Sequence, residues 1–101
     1  MILKTAHDVH DAVSEIIKTR ALQVANSEYD RVVLIDAVAA SRKAADAVAI
    51  EGSSTLYHAA IQSQLNTLFS TYNDTSGQYT NGRAAIGDIL SDIAQLSQHF
   101  A

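Results

Sequence analysis

The residues most capable of chemistry lie together near the start of the chain, in the segment HDVHD at positions 7–11. On a helix, residues three positions apart share a face, so the imidazoles of His7 and His10 point the same way. Such a pair supplies two of the ligands that a divalent transition metal binds, and a complete site needs a third or fourth ligand. The sequence places neither His58 nor His99 nearby. We therefore predict no metal site, and His7 and His10 are the only candidate ligands.

Other combinations that enzymes use do not occur in the sequence. It contains no Gly-x-Ser-x-Gly elbow, no glycine-rich phosphate loop and no Glu-x-x-His pair of the kind found in di-metal bundles. We therefore predict that the protein is not an enzyme, that it has no catalytic residue and that it needs no cofactor.

The charge balance points away from nucleic acids and the hydropathy away from membranes. The net charge is −4, whereas nucleic-acid binding requires clustered basic residues that replace counterions. No stretch approaches the roughly 20 apolar residues of a membrane-spanning helix, and the opening MILKTAHD lacks the apolar core of a secretory signal. We predict no nucleic-acid or membrane partner, no cleavable signal, and a location in the cytoplasm or in a virion.

The composition favours helices throughout. Proline is absent and glycine occurs four times, so few residues interrupt a helix. Aromatic residues make up 6% of the chain, which leaves small aliphatic side chains to build a thin core. We predict an all-α fold, a three- or four-helix antiparallel bundle forming a single domain over residues 1–101. A thin core in a short chain also favours association with another chain.

Two apolar rows in the first half of the chain lie on nearly opposite helix faces. The first row gives way to the second near Asn26, and Ser27 is suited to cap a new helix there. We predict helices at about 5–25 and 28–51, broken near Asn26-Ser27. One continuous helix over 5–51, roughly 70 Å long, is the alternative that the pattern leaves open. The first row comprises Val9, Val13, Ile16, Ile17 and Val24, and the second Leu22, Ala25, Tyr29, Val32, Val33, Ala37 and Ala40.

The second half of the chain predicts two further helices. Gly52 suits the end of a helix, and the serines after it can cap the next one. We predict helices at about 54–72 and 83–100, joined by a polar linker over 73–82. The last helix has the most regular apolar row, with the three-and-four spacing of a helix packing seam.

The turn Gly52-Ser53-Ser54 resembles one turn of the histidine phosphotransfer domain, which is also a four-helix bundle. In that family a histidine shortly before a Lys-Gly-Ser-Ser turn accepts the phosphoryl group. Here Val48 stands at the histidine's position and Glu51 replaces the lysine. Because valine cannot accept a phosphoryl group, we exclude phosphotransfer.

A helix with apolar or alanine-rich surface on more than one face needs more than one neighbour. We therefore predict a structural or assembly subunit that packs with copies of itself or with a larger scaffold, such as a ring, a connector or a virion component. The alternative is a small acidic binding module, such as an inhibitor, adaptor or chaperone, that acts on one protein partner. The predicted interface residues are Val32, Val33, Ala37, Ala40, Ala44, Ile86, Ile89, Ile93, Leu96 and Phe100.

Overall fold

The computed structural model describes residues 2–48 and 52–101. Four helices follow one another, and each packs against the other three. Over the described residues there is no β-strand, and two isolated bridges are the only β-type pairing. The predicted all-α antiparallel bundle is therefore confirmed. The helices are α1 (Ala6–Gln23), α2 (Glu28–Ala47), α3 (Ser54–Thr71) and α4 (Thr80–Gln95), and one 3-10 turn (Leu96–His99) follows α4.

The chain breaks between α1 and α2 where the two apolar rows exchange faces. The N–H of Val24 donates to the carbonyl of Ala21, which closes α1, and the hydroxyl of Ser27 accepts from the N–H of Asp30, which opens α2. The alternative of one continuous helix is therefore wrong. Two short helices are favoured because the break lets α1 bury Val9, Val13 and Ile17, and α2 bury Val33 and Ala37, in the same core.

The predicted boundaries of α2 and α4 differ from those in the structure. Helix α2 ends at Ala47, because Val48 has extended backbone angles; the rest of the predicted helix, residues 49–51, lies outside the described residues. Helix α4 begins at Thr80, inside the predicted linker, and its regular part ends at Gln95. Asp74 organises the preceding turn by accepting hydrogen bonds from the N–H groups of Ser76 and Tyr79.

The core lies along the axis of the bundle and draws on all four helices. Tyr57 on α3 is its largest fully buried side chain, and an aromatic side chain at this position compensates for the many alanines. Arg20 lies at the edge of the core, where its guanidinium joins α1 to Asp92 on α4 at 2.9 Å. The fully buried larger aliphatic side chains are Val9, Val13, Ile17, Val33, Ile61, Leu65, Ile86, Ile89 and Ile93.

Helices α2 and α4 approach closely at a buried polar contact. The N–H of Gly82 donates to the carboxylate of Asp30 at 2.7 Å, and Asp30 is only 3% exposed. A methyl group on Gly82 would lie 3.0 Å from the backbone of Asp30 and 2.9 Å from Val33. The absence of a side chain at residue 82 therefore sets the distance between the two helices.

Within the described residues, no helix is both long enough and apolar enough to cross a membrane.

Candidate functional site

Most of the predicted interface residues lie inside the chain's own core, which corrects their assignment to a surface. Spacing alone cannot distinguish a row that faces another chain from a row that faces the other helices. In this fold the other helices of the same chain cover most of the predicted interface residues. Val32 is the exception, at 43% exposed, while Ala40 and Phe100 are partly buried. The buried members are Val33, Ala37, Ala44, Ile86, Ile89, Ile93 and Leu96.

The two candidate metal ligands have different partners. The Nε2 atom of His7 lies 3.3 Å from the carboxylate of Asp11, one turn further along α1. The Nδ1 atom of His10 lies 2.8 Å from the hydroxyl of Tyr57 on α3. In the part of the chain that the structure describes, no three metal-ligating side chains come together.

An apolar groove with a volume of about 670 Å³ lies between α1 and α2. We call it the α1–α2 groove. Leu22 on α1 and Ile35 on α2 line it, and they are 73% and 65% exposed. The remaining lining residues are His10, Ser14, Ile17, Lys18, Ala21, Ala25, Arg31, Leu34, Val38, Ser41 and Arg42.

The spacing of residues along α2 explains how the groove forms. Val33, Ala37 and Ala44 recur at helical spacing and are buried in the core. A second series, residues 31, 35, 38 and 42, recurs at steps of four, three and four on another face of the same helix. Because α1 covers only one side of this face, its apolar members remain open to solvent.

A buried tyrosine braces one end of the groove. The hydroxyl of Tyr57 donates to the carbonyl of Ser41 on α2 at 3.2 Å and contacts His10 on α1. The rings of His10 and Tyr57 meet edge to face, with centroids 5.4 Å apart. Burial raises the pKa of Tyr57, so the phenol stays neutral. These contacts join α1, α2 and α3, and so hold the two walls of the groove in place.

Among the described residues, the charges that line the groove have one sign. Lys18, Arg31 and Arg42 line it, and no acidic side chain of residues 2–48 and 52–101 does, although the whole chain has more acidic than basic residues. Arg20 and Arg83, by contrast, bond to groups of this chain, namely Asp92 and the carbonyl of Phe69. The groove therefore presents a positive rim on a protein of net negative charge.

The hydroxyl groups that line the groove are already bonded to the backbone. The hydroxyl of Ser14 donates to the carbonyl of His10 at 2.9 Å, and that of Ser41 donates to the carbonyl of Val38 at 3.0 Å. What the groove offers to a ligand is therefore apolar surface and positive charge.

The described residues form an all-α four-helix bundle with an open apolar groove between α1 and α2. Comparisons of the chain with protein-family models, with curated proteins and with solved structures gave no match. The function has to be inferred from the groove itself.

The sequence contains a signal for this groove that the apolar rows do not include. The rows at 32–40 and 86–100 contribute mainly to the core. The series Arg31, Ile35, Val38 and Arg42, in which two apolar residues lie between two cations, has the composition of a partner-binding face. Leu22 belongs to the second apolar row by spacing, but it lies on α1 and lines the groove together with Ile35 on α2.

Asp36 lies on α2 between positions of the second apolar row, and its partner is a side chain of the same chain. The hydroxyl of Tyr72 on α3 donates a hydrogen bond to its carboxylate. Burial, together with the hydrogen bond to Asp36 and its negative charge, raises the pKa of Tyr72 from 10.0 to about 12. The folded state thus favours the neutral phenol.

This shift predicts a specific loss of stability at alkaline pH. Because the pKa of Tyr72 is higher in the folded state, the stabilisation is fully present below pH 10 and is lost as the pH rises from about 10 to about 12. In Tyr72→Phe the free energy of unfolding should fall less steeply over that window, as measured by urea denaturation. The free energy of unfolding of Tyr72→Phe should still fall at alkaline pH, because burial also raises the pKa of Tyr57 in the folded state. Identical slopes for the two proteins would contradict the predicted link between Tyr72 and Asp36.

Proposed function

We propose that the protein is a small non-enzymatic binding module that recognises one protein partner through the α1–α2 groove. The observation that supports this proposal most directly is the exposure of Leu22 and Ile35 on facing walls of a groove, in a chain whose main apolar rows are buried. An exposed apolar surface rimmed by polar residues is typical of an interaction site.

The chain's own core supports a module that folds without a partner. Each of the four helices contributes fully buried apolar residues, and the buried side-chain polar atoms of the described residues all have hydrogen-bond partners. Tyr57 together with the isoleucines of α4 fills the core, which the composition predicts to be thin.

A second candidate function is the structural or assembly subunit, in a ring, a connector or a virion component. It is favoured by the apolar side chains that α2 exposes beside the groove, Tyr29 and Val32, which are 49% and 43% exposed. Together with Ile35 and Val38 they extend the apolar surface along much of α2. Such a strip suits contact with a copy of this chain or with a scaffold.

The two functions predict different molecular masses in solution. Light scattering after size exclusion, over a hundredfold range of concentration, should give a monomer for the binding module. An assembly subunit should give a defined multimer, which Ile35→Asp dissociates. The matched control is Leu56→Asp, because Leu56 is 59% exposed on α3 and lies outside the groove.

Site-specific cross-linking tests the binding module directly. A photo-reactive amino acid at position 22 should join the protein to one native partner in an extract of the source cells, whereas the same group at position 56 should not. The purified partner should then lose binding to Ile35→Asp and keep binding to Leu56→Asp. Equal cross-linking from both positions would contradict the proposed role of the groove.

A further inference from the structure

We infer that the occupant of the α1–α2 groove is an amphipathic helix of the partner protein, with acidic residues on both sides of its apolar stripe. This inference rests on the proposed function and specifies the chemistry of the partner. It follows from the length of the groove, from the positions of its cations and from the chemistry of its walls.

The length of the groove matches a helix of about three turns. Along α1 the lining extends from His10 to Leu22, and Ala25 lines the groove from the turn that follows the helix. At about 1.5 Å per residue, the helical part is about 18 Å long. An amphipathic helix lying in such a groove inserts side chains at positions i, i+3 or i+4, and i+7. The apolar side chains available to receive them lie on both walls, Leu22 and Ala21 on α1 and Ile35 and Val38 on α2.

The cations are spread along the groove and over both walls. Arg31 and Arg42 lie on α2 eleven residues apart, which is about 16 Å along the helix, and Lys18 lies on α1 across from them. One small anion is too short to contact both Arg31 and Arg42 across that distance. A helix with carboxylates on both flanks contacts all three cations. Two of these carboxylates lie about three turns apart on the side that faces α2. The charge pattern therefore favours a polyacidic helix over a small anionic ligand.

The same pattern disfavours a second copy of this chain as the occupant. A two-fold symmetric contact brings the same patch of two molecules together. Lys18, Arg31 and Arg42 would then face the same cations in the partner copy, which costs energy because like charges repel. The apolar walls also favour a protein helix over a nucleic acid, whose backbone offers phosphates but no apolar stripe.

The test uses two synthetic 18-residue helical peptides that have the same leucine stripe. One has glutamates on both flanks of the stripe and the other has lysines. The glutamate peptide should bind the folded protein, as followed by fluorescence anisotropy, with NMR shifts confined to α1 and α2. The lysine peptide should not bind. Affinity for the glutamate peptide should fall as salt rises, because the rim charges are solvent-exposed.

Neighbouring residues of α2 provide the matched variants. Arg31→Glu with Arg42→Glu should weaken binding of the glutamate peptide about tenfold or more, because two surface ion pairs become repulsive contacts. Lys43→Glu makes the same change of charge next to Arg42 but outside the groove, and should change the affinity less than about twofold. All three residues are exposed, so folding should be unaffected, which circular dichroism checks.

Several results would overturn the inference. Equal binding of the two peptides would show that charge does not select the occupant. Equal effects of Lys43→Glu and of the double variant would place the contact outside the groove. Binding of anionic lipid vesicles or duplex DNA in place of the peptide would assign the cations to another class of ligand. If the peptides fail while the cross-link from position 22 remains, the inference fails and the proposed function stands.

Discussion

Replacing Ile93 by aspartate should lower the free energy of unfolding by about 4 kcal/mol or more. Ile93 has no exposed surface and lies in the core row of α4, so the new carboxylate would lose its hydration without gaining a built partner. A domain of this size is stable by only about 5–15 kcal/mol. We therefore expect a large loss of helical signal at 25 °C, or a strongly lowered melting temperature by circular dichroism.

The control for this prediction introduces the same charge at an exposed apolar position. Leu22→Asp should change the free energy of unfolding by no more than about 0.5 kcal/mol, since Leu22 is 73% exposed. An Ile93→Asp protein that melts like the wild type would show that α4 does not bury this row. Dissociation of a multimer into folded monomers by the same variant would instead support the assembly function.

Adding one methyl group at Gly82 should destabilise the protein by about 1–3 kcal/mol. Helix propensity alone predicts the opposite, because alanine is favoured over glycine inside a helix by up to about 1 kcal/mol. The added carbon would, however, lie 3.0 Å from the backbone of Asp30. A backbone cannot rotate away as a side chain does, so α2 and α4 must separate. Separation also weakens the buried hydrogen bond between Gly82 and Asp30.

A second glycine of the same helix provides the matched control. At Gly87 the added carbon would lie 3.5 Å from the ring of Phe69, which is an ordinary contact. Gly87→Ala should therefore leave the stability unchanged or raise it by up to about 1 kcal/mol. For a domain of this length, 1 kcal/mol corresponds to about 4–8 °C in melting temperature, so thermal denaturation resolves the two variants. Equal shifts would contradict the close approach at Gly82.

The local structure follows from short-range features of the sequence. The lack of proline allows four long helices, the Ser27 cap and the exchange of apolar rows separate α1 from α2, and the residues at 52–54 open α3. These features act within a few residues, because caps and helical periodicity depend on neighbours along the chain. The all-α bundle could therefore be predicted from the sequence.

The start of α4 could not be predicted in the same way. The segment 73–82 is rich in residues that favour turns, and its composition predicts a linker. In the fold the N–H of Gly82 meets the carboxylate of Asp30, 52 residues earlier in the chain. That contact stabilises the first turn of α4, and it exists only once α2 lies beside it.

The sequence by itself determined which residues share a helix face, whereas the tertiary structure decided what each face meets. Periodicity places Ile86, Ile89 and Ile93 in one row, and the same row could equally contact a second chain or the other three helices. The fold buries it and leaves Leu22 on α1 and Ile35 on α2 exposed in an open groove. The physical reason is that burial depends on the arrangement of all four helices, which no local stretch of sequence specifies.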